Sequence, residues 1–274
     1  MELNDPGMRQ VGTATVAQLN VLTRQAYIEA VRRRHAMQPV RNDIHNSALP
    51  VLCQSCESRH QGICGALTSE QLLALSRHTR RVHHDAGDEL LVDAEPITSY
   101  GNVLRGVVKL SKVLEDGRQQ VVGLQFAPDL LGRLFANESR VTAEAASEVD
   151  LCMVPKGAME TLVRENPALE HRIMLQTLRE LDEARDWMVT LGRKTAAEKV
   201  ASFLYLIASH IDPTGEVTTF DLPLSRADIG DFLGLTIETV SRQISKLKAD
   251  GVIEIENYRH VSVPDVARLR VRCG

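Results

Sequence analysis

Between Leu224 and Val263 the apolar positions change their period twice. Ile229, Phe232 and Leu233 make a helical stripe. Ser225, with Asp228 three residues on, opens it as a capping box, and Gly234 permits a sharp turn at its end. Ile237, Val240, Ile244 and Leu247 then recur at helical spacing, behind Thr236 as N-cap and ahead of Gly251, placed as a C′ glycine. Val252 to Glu256 and Val261 to Val263 flank Asn257 to His260 in the manner of a β-hairpin. The pattern predicts a winged helix-turn-helix whose second helix turns Glu238, Ser241, Arg242 and Lys246 outward.

Upstream, Leu67, Leu72, Leu73 and Leu75 read as a helix, after which glycines set the rhythm. Gly87, Gly101, Gly106, Gly117, Gly123 and Gly132 separate apolar runs such as Leu90 to Val92, Val107 to Val113 and Val121 to Phe126, with Glu115-Asp116-Gly117 as a hairpin turn. Val149 to Val154 is a further strand, and the whole predicts an antiparallel β-roll the size of a ligand-sensing domain. Asn166 and Pro167 open a long helix to about Gly192, with Met174, Leu178, Leu181 and Met188 at a/d-like positions and Ala184 and Arg185 interrupting the seam. Glu180, Asp182, Glu183 and Asp186 crowd this region, so self-association there would be marginal and switchable. Thr195 to Ile211 adds a helix that Asp212-Pro213-Thr214-Gly215 ends. Residues 1 to 50 lack a core pattern of their own. Val16 to Met37 has the spacing of a helix ending in the basic run Arg32 to Arg34, and Pro39 and Pro50 frame a linker.

The fold class is therefore α+β: an N-terminal extension over 1–50, a cysteine loop and antiparallel β-roll sensor domain over 51–165, a long dimerisation helix over 166–192, and a C-terminal winged helix-turn-helix domain over 193–274. With 274 residues, 43% of them hydrophobic, the chain has room for two cores. No apolar run approaches membrane-spanning length and Met1 to Asp5 does not read as a secretion signal, so a cytoplasmic location is expected. A net charge of −4 supplies no overall basic footprint; DNA affinity would have to come from Arg226, Arg242, Lys246 and Lys248, doubled in a dimer. On the outer face, Arg242 suits guanine O6 and N7, Glu238 suits cytosine N4, Ser241 suits a base edge, and Lys246 and Lys248 suit phosphates. The roll carries neither a nucleophile-base pair nor a phosphate-cradling glycine loop, which argues against an enzyme.

Cys53 and Cys56, with Cys64 after seven intervening residues, crowd three thiols into one segment, with Gly62 and Gly65 loosening the loop. In a cytosolic protein such a set points to metal ligation, since close thiolates repel unless a cation neutralises them. Cys152 is available through folding as a fourth ligand; Cys273, near the terminus, reads as a free thiol and His60 as a solvent-facing side chain. The uneven spacing suits an iron-sulfur cluster better than structural zinc, which stays open as an alternative.

The order of these parts is itself informative. Glu238-Thr239-Val240-Ser241-Arg242 after Ile229-Gly230-Asp231-Phe232-Leu233-Gly234-Leu235, the strand Leu151-Cys152-Met153-Val154-Pro155, and Ala197-Glu198-Lys199-Val200-Ala201-Ser202-Phe203-Leu204 resemble the CRP/FNR transcription-factor family, in particular its FNR-type, oxygen-sensing branch. The resemblance runs from about Cys53 to the C-terminus, and the cysteine spacing is more like the FnrN and FnrL proteins of alphaproteobacteria than the enteric members. It implies that Cys53, Cys56, Cys64 and Cys152 bind a [4Fe-4S] cluster, that Glu238, Ser241 and Arg242 read TTGAT-type half-sites of palindromic double-stranded DNA, and that the turn Glu115 to Arg118 touches RNA polymerase. The family's acidic and basic cyclic-nucleotide contacts are not evident between Pro128 and Ala143, with Leu130 and Asn137 near the expected positions, so no cyclic nucleotide is expected. The resulting expectation is a homodimeric, oxygen-responsive activator; the alternatives are a regulator with structural zinc and another effector, or an iron-sulfur electron-transfer protein, which the winged domain disfavours.

Overall fold

The computed structural model describes residues 49–54, 56, 58–213, 215 and 217–274. The helix expected over Val16 to Met37 and the arginine run lie outside the described residues. Two short helices, α1 (Val51–Gln54) and α2 (Ser58–Gln61), and a 3-10 turn (Ile63–Ala66) carry the cysteine loop, followed by α3 (Ser69–Ser76). Helix α3 starts on a full capping box between Thr68 and Gln71, and buries Leu72 and Leu75 while Leu73 faces solvent.

Eight strands then build the roll: β1 (Arg80–His84), β2 (Glu89–Leu91), β3 (Ser99–Arg105), β4 (Val107–Val113), β5 (Gln119–Phe126), β6 (Leu130–Leu131), β7 (Thr142–Ala145) and β8 (Val149–Pro155). They form two four-stranded antiparallel sheets, ordered β1-β8-β3-β6 and β2-β7-β4-β5. The expected hairpin closes between β4 and β5, with Gly117 at positive φ. Gly101 and Gly123 do not separate strands: each lies inside one, β3 and β5 respectively. Val103, Val108, Ala143, Ala145, Val149 and Leu151 fill the space between the sheets.

Helix α4 (Lys156–Glu165) leads into α5 (Pro167–Arg193), whose first turn is satisfied by Asn166 accepting from the amides of Ala168 and Leu169. One face of α5 buries Leu169 and Gln176; another leaves Met174, Leu178, Leu181 and Met188 exposed at 44–72%. The winged domain comprises α6 (Ala196–Ile211), β9 (Thr218–Asp221), α7 (Arg226–Leu233), α8 (Ile237–Ala249), β10 (Glu254–Glu256), β11 (His260–Val263) and α9 (Val266–Val271). Strand β9 and helix α9 escaped the sequence pattern; β9 makes the wing a three-stranded sheet, ordered β10-β11-β9. Roll and winged domain are not independent. Val121, Phe126 and Ala146 join the apolar cluster built around α6 to α8, Trp187 of α5 packs on Phe232 of α7, and Phe126 stacks on His210 of α6.

Candidate cysteine site and nucleic-acid interface

The cysteine loop is tight. Far from loosening it, Gly62 and Gly65 allow close approach: a Cβ on Gly62 would lie 2.8 Å from Ser58 O and 3.0 Å from Pro128 Cβ, and one on Gly65 would lie 2.8 Å from His60 O. This folding carries Cys64 down onto the sheet holding Cys152. In the register of β1, β8 and β3, Cys152 stands between Arg81 and Asn102.

Burial pushes the Cys64 thiol up to about 12, and Cys152, Cys53 and Cys56 push the same way, while Arg59 pulls it back. Cys152 is pushed up to about 11, first by burial, then by Cys53 and Cys56, against a hydrogen bond with Thr79 and the charge of Arg81. Cys53 is raised by burial and by Cys56. The structure thus sets all four predicted cysteines in one electrostatic neighbourhood, where Cys64 and Cys152 keep their protons at neutral pH unless a cation replaces them. Among the described residues no group of three His, Cys, Asp or Glu side chains is arranged to hold a single metal ion. Four thiols are a donor set that either an iron-sulfur cluster or zinc accepts.

Two buried polar side chains that no motif marks lie beside the thiols. Asn102, only 3% exposed, points Nδ2 at Cys64 Sγ at 3.8 Å, and its Oδ1 has no hydrogen-bond partner among the described residues. Arg59, 6% exposed, brings a cation beside them, with Nη2 2.9 Å from Nε2 of the exposed His60. Arg59 lies between the second and third cysteines, the one signal that could have marked it. Cys273 stands apart, buried in the core of the winged domain with Sγ 3.5 Å from Leu269 O.

The helix-turn-helix forms as the pattern predicts. Ser225 and Asp228 complete a capping box, Gly234 takes φ +62° at the turn, and Thr236 caps α8 by accepting from Thr239 N. Val240, Ile244 and Leu247 are buried, but Ile237 is half exposed and belongs to the surface rather than the stripe. Glu238, Arg242 and Lys246 face solvent, with Ser241 half-buried beside them. Arg242 Nη2 rests on Thr239 Oγ1 at 3.3 Å, a bond that docking can exchange for a base. Two of the basic residues are engaged within the domain. Lys248 Nζ donates to Ile255 O at 3.1 Å, and Arg226 Nη2 donates to Tyr258 O at 3.1 Å, so both tie the wing to the helices. Tyr258, 92% exposed at the wing tip, was not singled out by its sequence context.

Between the roll and α5 lies a cavity of about 510 Å³ lined by Gln125, Leu131, Arg133, Arg140, Ile173 and Glu180. Leu130 is buried at its edge, while Asn137 Oδ1 is engaged by Lys156 Nζ at 3.2 Å.

Two family models match these two parts of the molecule. Residues 81–166 match the cyclic nucleotide-binding domain, and residues 198–272 match the Crp-like helix-turn-helix domain. A "probable transcriptional activator" of Rhizobium leguminosarum bv. viciae is 52% identical over 85% of this chain and 98% of its own. The chain belongs to the CRP/FNR family of transcription regulators. Another CRP/FNR relative, the transcriptional activator protein FnrL of Cereibacter sphaeroides, is 38% identical over 81% of this chain and 92% of its own. Among solved structures, FixK2 of Bradyrhizobium japonicum matches with a TM-score of 0.65 and 31% identity, over 72% of this chain and 98% of that one. The β-roll, long helix and winged domain of this chain are the architecture of that CRP/FNR family.

Proposed function

We propose that this chain is an oxygen-responsive transcription activator that binds a [4Fe-4S] cluster through Cys53, Cys56, Cys64 and Cys152. The observation that carries the reading is Cys64, a half-buried thiol from the loop that feels the other three cysteines and receives the Asn102 amide. When bound, the cluster supplies an oxygen-labile cross-link that neutralises four thiolates. The protein's own parts do the rest. The loop holds its cysteines against β8, and α5 offers the apolar seam Met174, Leu178, Leu181 and Met188 to a second copy. Glu238, Ser241 and Arg242 of two α8 helices read a palindromic double-stranded site in successive major grooves. The β4–β5 turn, where Asp116 and Arg118 pair at 2.8 Å beside the exposed Val113 and Leu114, meets RNA polymerase. The protein works in the cytoplasm, and no helix among the described residues is long and apolar enough to cross a membrane. The reading requires no cyclic nucleotide.

The deciding experiment is anaerobic purification followed by visible absorbance, iron, sulfide and zinc analysis, before and after air. Brown protein with iron and sulfide that bleaches in air is expected. Colourless, air-stable protein with stoichiometric zinc overturns the cluster and leaves a zinc-stabilised regulator.

A further inference from the structure

The loop between Cys56 and Cys64 is held by a residue from a different part of the fold. Arg172, in the first turns of α5, donates Nε to Gly62 O at 3.0 Å and Nη2 to His60 O at 3.1 Å and Gln61 O at 2.6 Å. These three consecutive carbonyls close the C-terminal end of α2, and the last of them, Gly62 O, also accepts from Gly65 N at 3.2 Å. A planar guanidinium with a fixed fork of donors can span all three; an ammonium cannot. Directly after them Ile63, 1% exposed, inserts among Leu169 and Ile173 of the same helix. One fork of hydrogen bonds and one apolar plug therefore join the loop to α5.

What α5 carries next gives this junction its meaning. Met174 and Leu175 come two and three residues after Arg172, followed by Leu178 and Leu181, all exposed. The helix runs unbroken from Pro167 to Arg193, so a shift at its first turns is passed along the seam rather than absorbed at a hinge. The loop at one end of this chain of contacts holds two of the four thiols; the other end is the surface a second copy would meet.

We propose that Arg172 is the positioning residue that couples the state of the cysteine site to the dimer seam. With the thiols drawn together, the carbonyls of residues 60–62 are fixed and Arg172 sets the register of the start of α5. With the thiols released, the loop no longer fixes Arg172, and the seam loses its arrangement. This rests on the cluster reading above. A purely structural clamp would instead hold loop and helix together equally in both states.

The test compares full-length wild type, Arg172→Gln and Arg172→Lys, each reconstituted with iron and sulfide without oxygen. Cluster content per chain and the dimer dissociation constant by sedimentation are measured before and after air. Wild type is expected to lose at least tenfold in dimer affinity on air exposure. Arg172→Gln is expected to hold iron and sulfide as wild type does while its air response falls to within twofold, and Arg172→Lys, keeping the charge and fewer bonds, to fall between. Hydrogen exchange on wild type alone covers the case of a misfolded variant: cluster removal should raise exchange in residues 58–66 and in 172–181 together. Iron-loaded Arg172→Gln with the full wild-type air response, or exchange that rises in the loop but not in α5, overturns the coupling. Wild type that takes up no iron overturns the cluster reading, and this inference with it.

Discussion

Lys109 Nζ, on β4 of the roll, lies 2.6 Å from Oδ1 of Asp228, the residue that completes the capping box with Ser225 at the start of the first helix of the helix-turn-helix. The lysine side chain is only 6% exposed and also meets Glu144 Oε1 at 3.1 Å, so one cation ties two strands of the sensor to the DNA-binding domain.

The first prediction follows from that contact. Lys109→Met removes the cation and leaves two carboxylates facing each other in a half-buried site, which should cost about 2–3 kcal/mol, the lower end for a broken buried pair because Asp228 and Glu144 keep some water. Burial pushes the Asp228 carboxyl up, but hydrogen bonds from Lys109 and Ser225 outweigh it and hold it below the usual range. A depressed folded value means stability present above the unfolded value and lost as pH falls through the folded one. Lys109 moves the other way: burial lowers it, but the two carboxylates raise it further, so its contribution persists into alkaline solution. The wild-type advantage over Lys109→Met in urea denaturation should therefore hold from neutral pH into alkaline solution, be lost once the pH passes through the raised Lys109 value, and shrink below about pH 4. An advantage unchanged at pH 3 would refute the pairing.

Single Cys→Ser changes at Cys53, Cys56, Cys64 or Cys152 should each abolish stable iron and sulfide binding. Cys273→Ser should leave both intact, since that sulfur sits in the winged core; its cost should be stability alone, about 1 kcal/mol for a hydroxyl in an apolar site. Full iron and sulfide in Cys152→Ser would remove β8 from the ligand set.

Asn102→Leu should separate stability from protection. The buried Oδ1 has no partner among the described residues, so an apolar side chain of similar size should leave the metal-free protein as stable as wild type or more so. The same change removes the amide donor from Cys64, so air bleaching should quicken several-fold. A slower bleach, or a metal-free protein that melts far below wild type, would show that Asn102 serves packing instead.

The legibility of this molecule follows the reach of each interaction. Local patterns were readable: the capping box at Ser225, the helix from Thr195, the turn at Gly234, the strand around Cys152 and the long helix after Asn166 all depend on near neighbours. The misses depend on partners far along the chain. Strand β9 exists because β11 pairs with it, Lys248 and Arg226 turn toward the wing, Arg172 reaches back to Gly62, and Asn102 meets Cys64 across the roll. A glycine's role is equally hidden: Gly62 reads as looseness in sequence, and only the Ser58 carbonyl above it shows why no side chain fits.

The last prediction concerns α8. Arg242 is exposed and its bond to Thr239 at 3.3 Å is one that a base can replace, so Arg242→Ala should cost about 1–3 kcal/mol on the specific site and relax preference at that base pair. Glu238→Ala should act with two opposite signs: removing an acid from a DNA-facing surface raises affinity for random sequence, while losing the acceptor for cytosine N4 lowers discrimination at one base pair per half-site. Lys248→Ala differs from both. Its ammonium already bonds Ile255 O, so its loss should loosen the wing and change the salt dependence by less than the roughly one unit per subunit expected of a phosphate contact, whereas Lys246→Ala should show that full unit. Binding to a panel of single-base variants at several salt concentrations separates these outcomes. If preference is unchanged in both Glu238→Ala and Arg242→Ala, α8 is not the reading element. If Lys248→Ala flattens the salt slope as much as Lys246→Ala, the wing tie gives way on docking and Lys248 turns to the backbone after all.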